Sequence, residues 1–117
     1  MLGVIELILA FATPFRATLH APTHTPRVNS PWAIAIRAVD LQGRPIRARL
    51  TMRFLFAGVP VGKVDNGRAY MFVGTWREKK GQEIKFPTAS QGQRLTFQAL
   101  VTARGRTIKL NYWVRPR

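Results

Sequence analysis

The sequence contains no cysteine. That excludes disulfides, cysteine-ligated zinc, iron–sulfur clusters and thiol catalysis. Acidic residues are scarce: 5 Asp and Glu stand against 19 Lys and Arg, a net charge of +14. So few carboxylates exclude a carboxylate-rich calcium site and leave little material for catalysis by paired carboxylates. No apolar run approaches the ~20 residues of a membrane-spanning helix. No window sustains the i, i+3, i+4, i+7 stripe of an amphipathic helix. The two histidines, His20 and His24, are too few for a metal site without a third ligand. No cofactor or metal site, and no catalytic residue, is expected.

What is present is an ordinary globular balance. The 117 residues are 46% hydrophobic and 21% charged, enough for one domain with its own core. The basic excess is mostly arginine and is dispersed. Its densest clusters are Arg77-Glu78-Lys79-Lys80 and Arg115-Pro116-Arg117, well short of the five to eight basic residues of a nucleic-acid arm. The nine glycines stand singly at turns, so no glycine-rich phosphate loop exists.

Residues 1–12, Met-Leu-Gly-Val-Ile-Glu-Leu-Ile-Leu-Ala-Phe-Ala, form a short apolar run ending in the small-x-small Ala10-Phe11-Ala12. This matches the apolar core and cleavage site of a secretory signal peptide. It is short and lacks the usual basic start, which a truncated signal explains, and that is the favoured reading; Glu6 inside the apolar stretch argues against it. The competing reading is an N-terminal edge strand, Gly3–Phe11. The domain proper is 13–117.

From Phe15 onward the hydrophobic period is two. Trp32, Ile34, Ile36 and Ala38 share one face. Ile46, Ala48, Leu50, Met52, Phe54 and Phe56 alternate with Arg47, Arg49, Thr51, Arg53 and Leu55. Leu95, Phe97, Ala99 and Val101 alternate with Arg94, Thr96 and Gln98; Ile108, Leu110, Tyr112 and Val114 alternate with Thr107, Lys109 and Asn111. Each series gives an antiparallel strand with one wet face. Asp40-Leu-Gln-Gly43-Arg-Pro45, Asp65-Asn66-Gly67 and Arg104-Gly105 read as hairpin turns. Pro22, Pro26 and Asn29-Ser30-Pro31 mark a loop. Strands are expected at 15–20, 32–40, 46–56, 59–64, 68–75, 82–86, 93–103 and 106–114. Seven or eight short strands in about 100 residues imply an all-β, two-sheet immunoglobulin-like β-sandwich, with an eight-stranded closed barrel as the alternative.

The stretch Trp32–Arg53, centred on Ala-Val-Asp-Leu-Gln-Gly-Arg-Pro-Ile-Arg-Ala-Arg-Leu, resembles bacterial immunoglobulin-like domains, as does the later Asp65-Asn66-Gly67 turn. Leu19-His-Ala-Pro-Thr-His-Thr-Pro-Arg-Val-Asn29 resembles the opening of small secreted actinobacterial proteins with one such domain. The resemblance spans residues 15–114. It implies a non-enzymatic scaffold for adhesion, spacing or display, secreted or at the cell surface, with a protein or an anionic cell-surface polymer as partner. Without a signal peptide the location would be cytoplasmic.

Two other functions compete with it. Arg47, Arg49 and Arg53 share one strand face and could track a nucleic-acid backbone. Trp76, beside the Arg77–Lys80 loop, or Trp113, outward on the last strand, could stack on sugars, giving a carbohydrate-binding module. A hydrolytic triad can be written from Ser30 or Ser90, His24, and Asp40 or Asp65, but no Gly-x-Ser-x-Gly turn presents a nucleophile.

Overall fold

The computed structural model describes residues 13–117. The readings of residues 1–12 as a signal peptide or edge strand fall outside the described residues. The described chain is all-β, with antiparallel strands and two short 3-10 turns. The strands are β1 (Phe15–His20), β2 (Pro31–Trp32), β3 (Ala35–Asp40), β4 (Arg47–Phe56), β5 (Val59–Lys63), β6 (Tyr70–Val73), β7 (Thr75–Arg77), β8 (Ile84–Lys85), β9 (Leu95–Ala103) and β10 (Arg106–Val114). The smaller sheet has the order β1-β3-β7. The larger runs β10-β9-β4-β5, with β6 also on β4, and β2 pairs with β8. These separate sheets replace the single ring that a closed barrel would require.

The period-two faces fold as their pattern dictates. In the larger sheet, Phe54, Phe97 and Tyr112 lie side by side across three strands, followed by Met52, Ala99 and Leu110, then Leu50, Val101 and Ile108. Phe15, Ile36 and Ala38 of the smaller sheet belong to the same buried core, together with Trp32 and Phe86. Trp32 meets Phe86 and Phe97 edge-to-face at 5.3 and 5.4 Å. This arrangement aims the positive ring edge at the negative ring face. Its indole N–H donates to the Thr23 carbonyl at 2.9 Å, so the buried indole leaves no donor unpaired.

The structure departs from the periodic pattern at four places. The expected 32–40 strand is two strands, because Trp32 pairs with Ile84 while Ala35 onward pairs with β1. Phe56, expected inward, is 47% exposed, because β4 outruns the core and turns at Ala57-Gly58. Leu55, expected on the wet face, is buried, although it lies outside the core cluster. Asp65-Asn66-Gly67 is not a hairpin turn. All three residues are left-handed, with φ of 51°, 57° and 77°, and the strands on either side do not pair with each other. Both instead run antiparallel along the same edge of β4, Lys63 opposite Arg53 and Tyr70 opposite Leu50. The turn is a left-handed excursion inside one interrupted edge strand. Asn and Asp tolerate this conformation because their short side chains make local hydrogen bonds.

Two further features were not legible as strands. At Gly74 the chain leaves the larger sheet and enters the smaller: β6 pairs with β4, and β7 pairs with β3. Its N–H donates to Ile46 O at 3.0 Å, and its carbonyl accepts from Ala38 N–H at 2.8 Å, so this one residue bonds to β3 and to the residue that leads into β4. The proline-rich loop also carries hidden pairing. Arg115 N–H donates to His24 O, Arg117 N–H to Pro26 O, and Val28 N–H to Arg117 O, at 2.7, 2.9 and 3.0 Å. The partners advance together, which is the pattern of a parallel ladder. Its missing rung belongs to Pro26, which has no N–H to donate.

Candidate functional site

The register of the larger sheet assembles the outward residues of β4, β9 and β10 into rows. Arg53 lies beside Gln98, and Gln98 beside Asn111. Leu100 separates Thr51 from Lys109 in the next row, and Thr102 separates Arg49 from Thr107 in the one after. β5 adds Lys63 beside Arg53, and β6 adds Met71 beside Arg49 and Val73 beside Arg47. Arg47, Arg49 and Arg53, grouped by parity in the sequence, therefore do share a face, which Lys63 and Lys109 extend.

No outward residue of these rows is acidic. The described carboxylates lie in connections: Asp40 ends β3, Asp65 sits in the left-handed turn, and Glu78 and Glu83 lie between β7 and β8. The Asp40 carboxylate is already engaged. It accepts from the N–H groups of Gln42 and Arg44 at 2.9 and 2.8 Å and pairs with the Arg44 guanidinium at 2.7 Å. The Arg44 N–H is the first cause holding its pKa below the usual value, with the guanidinium and the Gln42 N–H adding to it. Among the described residues the side chains of Arg47, Arg49, Lys63 and Lys109 have no hydrogen-bond or ion-pair partner. Their charges face solvent uncompensated.

One arginine is held in place. Arg53 Nε donates to Gln98 Oε1 at 2.7 Å, and Gln98 Nε2 donates to Asn111 Oδ1 at 2.8 Å. The buried Gln98 amide thus bridges two strands and fixes the arginine's orientation. Sequence parity had placed Gln98, Lys109 and Asn111 outward. Their alignment with Arg53 depends on pairing register, which parity alone does not fix.

An aromatic stack ends the face. The His24 imidazole is parallel to both Tyr112 and Trp113 within 10°, with both centroids at 4.0 Å, so it lies between them. His24 Nδ1 is 2.6 Å from the Trp113 carbonyl, and the Arg94 guanidinium lies 4.9 Å from the Trp113 ring. Trp113 remains 40% exposed. Trp76 is elsewhere, half-buried on β7 beside Tyr70, so the two tryptophans considered for sugar stacking belong to different surfaces.

The residues of the written triad are separately committed. His24 stacks as described, Ser90 Oγ donates to Pro87 O at 2.6 Å, and Asp65 accepts from Tyr70 Oη at 2.6 Å. Among the described residues no group of three His, Cys, Asp or Glu side chains could hold a metal ion, and no helix is long and apolar enough to cross a membrane. No protein-family model matches the sequence, and no curated protein matches it.

Proposed function

We propose that this chain is a non-catalytic immunoglobulin-like β-sandwich, secreted or held at the cell surface, whose larger sheet binds an anionic polymer of that surface. The architecture is supported by the two antiparallel sheets on one core and by the parallel pairing of the first loop with the chain's last residues. The binding reading is carried by one observation: five cationic side chains share an outer face that bears no carboxylate. Strand neighbours two apart lie ~6.5–7 Å from each other, so Arg47, Arg49 and Arg53 present charge along an extended chain. Placement outside the cell is supported by the apolar character of residues 1–12.

The test is binding to a soluble glycerol-phosphate polymer across a salt series. Log affinity should fall linearly with log salt, because neutralising the polymer releases its counterions. The triple variant R47A/R49A/K109A should lose at least tenfold in affinity with its melting temperature nearly unchanged. Salt-independent binding, or a triple variant that binds as well as the parent, refutes the reading.

The half-exposed Trp113 favours a second reading, in which the polymer is single-stranded nucleic acid with a base against the indole. Oligothymidylate then binds more tightly than the glycerol-phosphate polymer, and Trp113→Ala weakens it by about 1–3 kcal/mol.

A further inference from the structure

A second recognition surface lies where the chain passes between sheets, away from the cationic face. Tyr70 is the inward residue at the start of β6, and Trp76 is the central residue of β7. Their rings sit 5.2 Å apart, tilted by 40°, and they wall a cleft of about 190 Å³. Its other lining residues include Asp65, Arg68, Glu78 and Gln82. We propose that this cleft binds one pyranose unit of a neutral carbohydrate. The site is independent of the polyanion face.

Three observations select that ligand class. The first is size: the cleft is smaller than the ~300–1,000 Å³ pockets that enclose drug-sized ligands, and it suits a single ring. The second is the wall. The Trp76 ring supplies an apolar surface for the C–H side of a sugar, braced by Tyr70, whose own ring is covered by the Arg68 guanidinium at 5.4 Å. Tyr70 Oη donates to Asp65 at 2.6 Å, which holds the phenol in place.

The third observation is the balance of polar groups. Asp65 and Glu78 accept, Arg68, Arg77 and Lys79 donate, and Gln82 does both. Vicinal hydroxyls need both kinds of partner. An anionic ligand would meet the two carboxylates, and a cation would meet the three basic side chains. Glu78 adds flexibility of role. One of its oxygens accepts the Ile84 N–H at 3.1 Å, and burial raises its pKa to about 7. Near neutral pH it is therefore present both as acceptor and as donor.

The experiment is a titration of the ¹⁵N-labelled full-length protein with methyl glycosides of glucose, mannose and galactose, followed by the indole N–H signals of Trp32, Trp76 and Trp113. At least one glycoside should shift Trp76 saturably at millimolar concentration, leaving Trp32 and Trp113 in place. Gln82→Ala removes an exposed side chain and should weaken that binding at least fivefold without changing the melting temperature. No saturable shift of Trp76 up to about 50 mM of every glycoside overturns the proposal. So does a response centred on Trp113, an unchanged affinity in Gln82→Ala, or a tighter response to tetramethylammonium, which marks a cation site. The absence of a Trp76 response leaves polymer binding by the outer face untouched.

Discussion

A Cβ built on Gly74 would sit 2.8 Å from the Cβ of Pro45. Gly74 also has φ of +77°, so its identity is required twice, by conformation and by space. Gly74→Ala should cost roughly 1–3 kcal/mol for the left-handed backbone alone, with the contact adding to it. In the double variant G74A/P45G the contact is gone and the backbone cost remains. Urea melts should therefore show partial recovery. Full recovery would mean that the backbone conformation relaxes freely.

Phe97 is fully buried among Trp32, Phe54 and the core aliphatics, whereas Arg49 lies on the opposite face of the same sheet. Phe97→Ala should cost about 3–5 kcal/mol, and Arg49→Ala about half a kcal/mol or less. Chemical denaturation of the two variants measures the difference. Equal losses would place the wrong face inward.

Glu78 gives a pH dependence with a defined sign. Its folded pKa of about 7 lies above the ordinary 4.5, mainly because burial penalises the charged form. The protonated acid thus favours the fold. That contribution is complete below pH 4.5 and is lost as pH rises through 7. Glu78→Gln should gain stability relative to the parent across this window and hold the gain above it. Thermal melts at pH 4, 6 and 8 follow the difference.

Asp40 has the opposite sign. Its pKa is lowered, first by the Arg44 N–H, so its contribution to stability is present above the ordinary 3.8 and disappears as pH falls below it. Asp40→Asn keeps the size but weakens the three bonds closing the β3–β4 turn. The variant should be less stable than the parent at pH 6, and the gap should narrow toward pH 2.

Removing residues 115–117 deletes four backbone hydrogen bonds, to His24, Pro26, Val28 and Gly92, together with the buried Pro116. At about 1 kcal/mol per bond, the loss should be on the order of 4 kcal/mol. In hydrogen exchange, the Val28 and Gly92 amides should lose protection while those in the middle of β9 keep theirs.

The faces of β3, β4, β9 and β10 were legible because burial on one side imposes a period of two. The Gly43 and Gly105 turns were legible because φ of 85° and 72° calls for glycine, whereas Arg104, at 49°, gave no such signal. Asp65-Asn66-Gly67 misled for the same reason: residues suited to left-handed conformations mark a reversal or an excursion equally well, and only pairing to β4 separates the two. The parallel ladder was hidden by Pro26, whose presence signals a loop although its neighbours make strand-like bonds. The cationic face was half visible. Parity supplied Arg47, Arg49 and Arg53, but Lys63, Lys109 and the Gln98 bridge arrive through long-range register.

The parallel ladder between residues 24–28 and 115–117 also governs how the domain carries tension. A pull that reaches His24 from one side and Arg117 from the other moves these two parallel segments along their common axis in opposite directions. The bonds are then loaded in shear and must yield together, whereas a hairpin pulled at its open end yields rung by rung. Segments held in this way resist sliding past one another more than their few rungs suggest.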